Sequence, residues 1–150
     1  MADVITYGGA KFSISAAAPA TYDAAGFAAL TYTQIGELMS FGDRGQTFED
    51  VNYNTLGDRA TKHLKGTTDQ PETEVEMAID RDDAGQVLFK AAKNSDDEYS
   101  FKVEYSNGEV DYFQALVYSF VTVGGDANTI RTATASVRIN YQDVIEVAAP

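Results

Sequence analysis

Glu72, Glu74, Glu76 and Asp80 sit on even-numbered positions of the stretch ETEVEMAID, while Thr73, Val75, Met77 and Ile79 fill the odd ones. Side chains of a β-strand point alternately to opposite faces, so the spacing predicts one acidic face and one apolar face. Paired carboxylates about 5–10 Å apart are the apparatus of glycoside hydrolysis, and alternate strand positions lie about 6.6 Å apart. Distance alone is a weak criterion. Nothing distinguishes one acid of the row as a proton donor, and no aromatic platform for a sugar flanks it. A wet acidic face is the better reading. Two such charges repel by only about 0.6 kcal/mol in water, whereas burying them unpaired would cost several kcal/mol each. The face therefore looks onto solvent or onto cations of another chain.

Other chemistry is sparse. His63 is the single histidine and there is no cysteine, which removes disulfides, thiolate metal sites and thiol nucleophiles. His63 lies among Arg59, Lys62 and Lys65 without a carboxylate and a nucleophile in the pattern a triad needs, so it reads as a solvated loop histidine. Asp80-Arg81-Asp82-Asp83-Ala84-Gly85 resembles the start of a calcium loop, but its twelfth place is Ala91 where a bidentate glutamate belongs. Helix capping by Asp82 or Asp83 explains the same residues. No metal, no cofactor and no catalytic residue is expected.

The chain has 150 residues and a formal charge of −12, from 23 acidic and 11 basic side chains. That length suits one domain with a real core. The negative field repels polyanions, and no cationic stripe is present to displace the counterions of nucleic acid. The beginning MADVITYGGAKFSIS shows no basic leader followed by an apolar run, and no stretch has the roughly 18 apolar residues of a membrane span.

Several elements can be read in order. Residues 16–31 are Ala-rich and predict a loop with one short helical turn. TQIGELMSF and TFEDVNY read as an antiparallel pair joined by the turn residues Gly42, Asp43 and Gly45. Residues 54–70, holding Leu56, Arg59, Lys62, His63 and Lys65, lose all pattern and read as a long functional loop. After the acidic strand, DDAGQVLFKAAKN predicts a helix over about 83–94 with Val87, Leu88 and Ala91 on its inner face and Lys90 and Lys93 near its C-terminus. EYSFKVEY and EVDYFQALVYSFVTV flank Asn107-Gly108, a strong hairpin signal. The second of these strands loses alternation after Tyr112, which fits burial on both faces or contact with another subunit. NTIRTATASVRINY alternates again and closes the sheet. The chain is thus mainly β, an antiparallel sandwich or barrel-like fold flanked by one helix. Its single domain, 1–150, divides into an N-terminal arm and loop (1–32), the sandwich (33–140) and a C-terminal tail (141–150).

This order of parts resembles the tail tube (major tail) proteins of long-tailed bacteriophages. The likeness rests on PATYDAAGFAALTYTQIGELMSFG (19–42) and on EDVNYNTLGDRATKHLKGTTDQ (49–70), where a Thr-Leu step precedes a basic stretch with Lys-Gly. An acidic strand, a single helix, an Asn-Gly hairpin and a closing strand rich in Thr, Ala and Ser follow in order. The resemblance implies a structural virion protein assembled in the bacterial host cytoplasm, six copies to a ring, with rings stacked into a tube around a continuous inner β-barrel. It further implies that the loop at 54–70, with Leu56, Arg59, Lys62, His63 and Lys65, touches neighbouring subunits. Tail initiator or tip proteins, a terminator and a tape measure protein are the implied partners, and double-stranded DNA would pass without specific binding. Glu72, Glu74, Glu76 and Asp80 are then candidates for the lumen wall. The competing expectation is a monomeric carbohydrate-binding or adhesive module of a virion.

Overall fold

The computed structural model describes residues 4–140 and 143–150. Ten strands and two helices follow one another: β1 (Lys11–Ser15), α1 (Ala24–Ala28), β2 (Thr33–Ile35), β3 (Leu38–Phe41), β4 (Thr47–Tyr53), β5 (Lys62–Asp69), β6 (Glu72–Ala78), α2 (Ala84–Lys93), β7 (Tyr99–Glu104), β8 (Val110–Val123), β9 (Thr132–Ile139) and β10 (Ile145–Val147). The main sheet is antiparallel, in the order β2-β1-β7-β8-β9-β6-β3, with β10 added to β8. Strands β4 and β5 form a separate hairpin. Neither helix is long and apolar enough to cross a membrane.

The two ends of that strand order, β2 and β3, are separated in the chain only by Gly36 and Glu37. A sheet whose opposite edges are joined by two residues has to roll up, which makes the fold barrel-like. The corner is locked by hydrogen bonds. Ala78 N–H donates to the Glu37 carbonyl at 2.9 Å, and Gly36 N–H donates to Asp83 Oδ2 at 3.0 Å. The buried Gln86 amide donates to the carbonyls of Gly36 and Ala78 at 3.0 and 2.9 Å and accepts from Asp80 N–H at 3.0 Å.

This corner corrects the expected pairing of TQIGELMSF with TFEDVNY. The first stretch breaks at Glu37, whose φ is 57°, into β2 on β1 and β3 on β6. No tight turn forms at Gly42-Asp43-Gly45, because the chain stays against β6 beyond Phe41: a Cβ on Gly42 would lie 2.7 Å from Glu74 N. Thr73 Oγ1 donates to the Asp43 carbonyl at 2.7 Å and extends the same contact. β4 consequently pairs with β5, from Thr47 opposite Asp69 to Tyr53 opposite Lys62. Residues 62–69, expected to be loop, are strand; the connection itself is only 54–61.

The core fills the roll. Phe12, Phe101 and Phe113 stack in series, with centroids 5.4 Å (Phe12 to Phe101) and 5.2 Å (Phe101 to Phe113) apart, within the usual range for aromatic pairs. Val75, Met77, Ala133, Ala135 and Val137 complete it from β6 and β9. α2 is capped by Asp83, which accepts from Gln86 N–H, and carries Lys90 and Lys93 in its last turn. Its buried face is Gly85, Gln86, Phe89 and Ala92, not the expected Val87, Leu88 and Ala91; Val87 and Ala91 are exposed and Leu88 is half-buried. Two residues set that rotation. Phe89 inserts between Phe12, Phe101 and Phe120, and Gly85 lets the helix press on β2, where a Cβ would fall 2.2 Å from the Gln34 carbonyl oxygen. On the other face of the sheet, Phe27 of α1 stacks on Tyr112 at 5.5 Å.

The Asn107-Gly108 hairpin forms as expected, with Gly108 at φ 94° and Tyr105 N–H donating to the Glu109 carbonyl at 2.8 Å. Of the two readings of β8, burial on both faces does not hold. Tyr112, Phe113, Ala115 and Val117 are buried, but Tyr118, Val121 and Val123 are exposed in the single chain, so the strand is not covered on both faces. The segment read as a tail contains β10, which pairs with Val110–Tyr112; residues 141 and 142 lie outside the described residues.

Replacing Gln86 by Leu leaves two carbonyls and one N–H of the corner without partners. A loss of about 3 kcal/mol is expected, measured as a fall in the urea midpoint with an unchanged circular dichroism spectrum of the remaining folded fraction.

Candidate functional site

Three surfaces of the chain look outward with unusual composition. The first is the acidic face. On β6, Thr73, Val75 and Met77 are buried, Glu72 and Glu74 are exposed, and Glu76 is half-buried. Asp80 does not share that face. β6 ends at Ala78, the chain turns toward α2, and Asp80 Oδ1 accepts from Asp82 N–H at 3.1 Å.

Residues directly opposite in a sheet share a face, so the register spells out the wall around these acids. Glu72 faces Arg138 and then Leu116; Glu74 faces Ser136 and then Ser119; Glu76 faces Thr134 and then Val121; Ala78 faces Thr132 and then Val123. From β6 to β8 the wall passes from carboxylates through hydroxyls to aliphatic groups. Ser136 Oγ donates to Glu72, whose other oxygen lies 3.9 Å from Arg138. Both charged side chains are substantially exposed there, so the pair neutralises little of the row.

The second surface is a sheet edge. β7 pairs with β8 only as far as Ala115, so among the described residues Leu116–Val123, LVYSFVTV, has no strand on that side. A bulge between Val117 and Ser119 pushes Tyr118 out of the ladder. Soluble proteins blunt such edges with charges, proline or short length; this stretch has β-formers throughout and no charge or proline.

The third surface is the β4–β5 hairpin. All seven residues of β4 are exposed. Val51, Tyr53, Leu64 and Lys62 make one face; Asp50, Asn52, His63 and Lys65 make the other. His63 Nδ1 lies 2.9 Å from Asp50 Oδ1, Lys62 lies 3.1 Å from Asp58, and Lys65 sits 4.8 Å over the Phe48 ring. Of the five loop residues expected to act together, Lys62, His63 and Lys65 are on β5, whereas Leu56 and Arg59 are in the tip. Leu56 is fully exposed. A two-stranded hairpin standing alone in water is marginal, and this one leaves Val51, Tyr53 and Leu64 exposed with only Lys62 over the Tyr53 ring.

A family model described as "Lambda phage tail tube protein, TTP" matches residues 20–144. The chain belongs to that family. Its role is accordingly structural, in the tube of a virion tail. No curated protein sequence matches the chain. Among solved structures it is similar to the SPP1 tail tube, with TM-score 0.67 and 14% identity over 97% of this chain and 80% of that one. It is also similar to the sheath/tube terminator of the extracellular contractile injection system PVC, with TM-score 0.72 and 11% identity over 98% and 99%. A third likeness is to the tail of an empty gene transfer agent particle, refined with C6 symmetry, with TM-score 0.60 and 11% identity over 78% and 87%. At such identities these likenesses support the fold.

In this tail tube family member the hairpin is rooted in a buried polar knot that the sequence pattern did not reveal. Arg44, just before β4, reaches Tyr105 Oη at 2.9 Å, Asp111 Oδ2 at 3.4 Å and the Gly42 carbonyl at 3.3 Å, and lies over the Phe41 ring at 5.5 Å. Tyr105 itself donates to Asp111 at 2.7 Å. Burial and the Asp111 carboxylate hold the Tyr105 phenol above its ordinary range, against the lowering effect of Arg44. Burial likewise pushes Tyr22 up to about 12, and raises Tyr32 and Tyr112. In each case the fold favours the neutral phenol. This contribution to stability is whole below the ordinary tyrosine value near 10 and is lost as pH climbs toward about 12, where Tyr22 ionises in the fold. The urea midpoint of the monomer is expected to fall across that window, and Tyr105→Phe should make the fall shallower.

Proposed function

We propose that copies of this tail tube protein join edge to edge into closed rings, six to a ring, and that the rings stack into a tube. The observation that carries the reading is the bare edge Leu116–Val123. It offers a row of unpaired backbone groups flanked by Tyr118, Val121 and Val123, and a strand of a second copy satisfies both. A patch that complements a different patch on the next copy makes a head-to-tail contact, and such contacts close into rings when the rotation allows. The C6 symmetry used for the gene transfer agent tail supports six as the number.

In this assembly Glu72, Glu74 and Glu76 line the bore beside Thr134 and Ser136. The reading is supported by their shared exposed face and by the net charge of −12. Each ring then repeats three carboxylates per copy around the wall, which repels phosphate, so double-stranded DNA slides without a binding site. A tail initiator or tip complex and a terminator close the two ends, and a tape measure protein occupies the bore before DNA does. No catalytic step belongs to this role. The tail tube family match favours this structural role over a monomeric adhesive module, although Tyr7, Phe48, Tyr53 and Tyr118 are exposed.

Negative-stain electron microscopy of the purified protein, with and without an initiator complex, is expected to show rings or hollow tubes. A sample that stays monomeric in both conditions would overturn the reading. Val121→Lys places a charge on the bare edge and should abolish tubes while leaving the monomer's circular dichroism and urea midpoint within about 0.5 kcal/mol of the parent.

Reversing the row, with Glu72, Glu74 and Glu76 all changed to Lys, should still permit tubes but slow genome passage by holding phosphate. Unchanged infectivity of the particles would remove these side chains from the bore.

A further inference from the structure

A cleft of about 230 Å³ opens between α2 and the bare end of β8. Ile79, Val87 and Phe120 supply its apolar lining, and Asp80, Arg81 and Lys90 stand around it. Val87 is more than half exposed although it is an aliphatic residue on a helix. At the far end of the same molecule, Leu56 projects from the hairpin tip with its side chain wholly in solvent, followed by Asp58 and Arg59.

We propose that the cleft of one copy receives the hairpin tip of another, with Leu56 seated against Val87 and Phe120. The proposal rests on the stacked-ring reading and names the two surfaces that join successive copies. Charge supports the match: Asp58 is already met by Lys62 within the hairpin, which leaves Arg59 beside the apolar plug to meet Asp80 at the rim of the socket. Position supports it as well. β5 runs into β6 through Gln70 and Pro71, placing the tip beyond the Glu72 end of β6, whereas the cleft begins at Ile79, past the Ala78 end. Two strands of about 20 Å each separate plug and socket. The hairpin makes no substantial contact with α2 or β8 of its own chain. Plug and socket at opposite ends of one molecule propagate head to tail, along a stack rather than into a closed pair.

The absence of cysteine makes the test clean. Leu56→Cys combined with Val87→Cys, assembled into tubes and then oxidised, should give a ladder of cross-linked chains on a non-reducing gel; each single variant should give none. Leu56→Asp should raise the concentration needed for assembly by roughly tenfold to a hundredfold, the loss of one buried leucine per contact, and serves as the readout if the double variant does not assemble. Tubes that form without the ladder, cross-links that form only when Leu56→Cys is paired with Val123→Cys, or a Leu56→Asp protein that assembles like the parent would each overturn the proposal and leave the tube reading standing. Failure of the unaltered chain to assemble would instead remove the tube reading itself.

Discussion

A β-strand has hydrogen-bonding groups on both of its edges, and the arrangement of this molecule follows from where those edges are satisfied. At one end of the sheet the demand is met internally: the Gly36-Glu37 corner lets one continuous stretch of chain serve β1 with its first half and β6 with its second. Gln86 and Asp83 reach in from the helix and take up the corner's remaining polar groups. In the middle of the strand order, beside the second half of β8, the demand is not met. β7 stops opposite Ala115 and β8 runs on for eight residues with no strand on that side among the described residues. The same roll that joins the two ends of the sheet thus leaves the second half of β8 without a strand on its β7 side among the described residues.

The acidic face depends on the same geometry. Alternation puts Glu72, Glu74 and Glu76 on the side away from the aromatic core, and the register with β9 sets hydroxyl groups beside them. Hydroxyls satisfy a carboxylate without cancelling its charge, as Ser136 does for Glu72. Arg138, the cation opposite Glu72, is itself partly exposed and meets one carboxylate at 3.9 Å, so the field of the face remains negative. A concave assembly would focus that field toward its axis, where low-dielectric walls make it stronger than on an open surface.

Between these two stands the hairpin, an extension of the β3–β6 pair beyond the bend at residues 42–46. Its own ladder from Thr47 to Tyr53 gives it shape, and the Arg44, Tyr105 and Asp111 knot gives it a fixed root. Neither covers Val51, Tyr53 and Leu64. An ordered arm with a firm base and an uncovered face is suited to contacting a neighbour, because less freedom has to be surrendered when the contact forms.

Much of this was readable from residue order. The inner and outer faces of ETEVEMA, the Asn107-Gly108 hairpin, the alternation of the closing strand and a helix cap at Asp82 or Asp83 rest on rules that act within a few residues, and those rules need no knowledge of the rest of the chain; the family resemblance rests on the order of the parts. What failed depended on distant partners. TQIGELMSF broke because β1 and β6 claimed different halves of it; α2 rotated because Phe89 found the Phe12 and Phe101 stack while Gly85 opened a path to Gln34; KHLKGTTD became a strand because Val51 and Tyr53 stood across from it. The bare edge of β8 could not be read locally at all, since it is defined by where another strand ends. Local sequence therefore determined which residues alternate, cap and turn, and only the closed tertiary structure decided which edge was left unpaired, because pairing is a property of two segments and not of one.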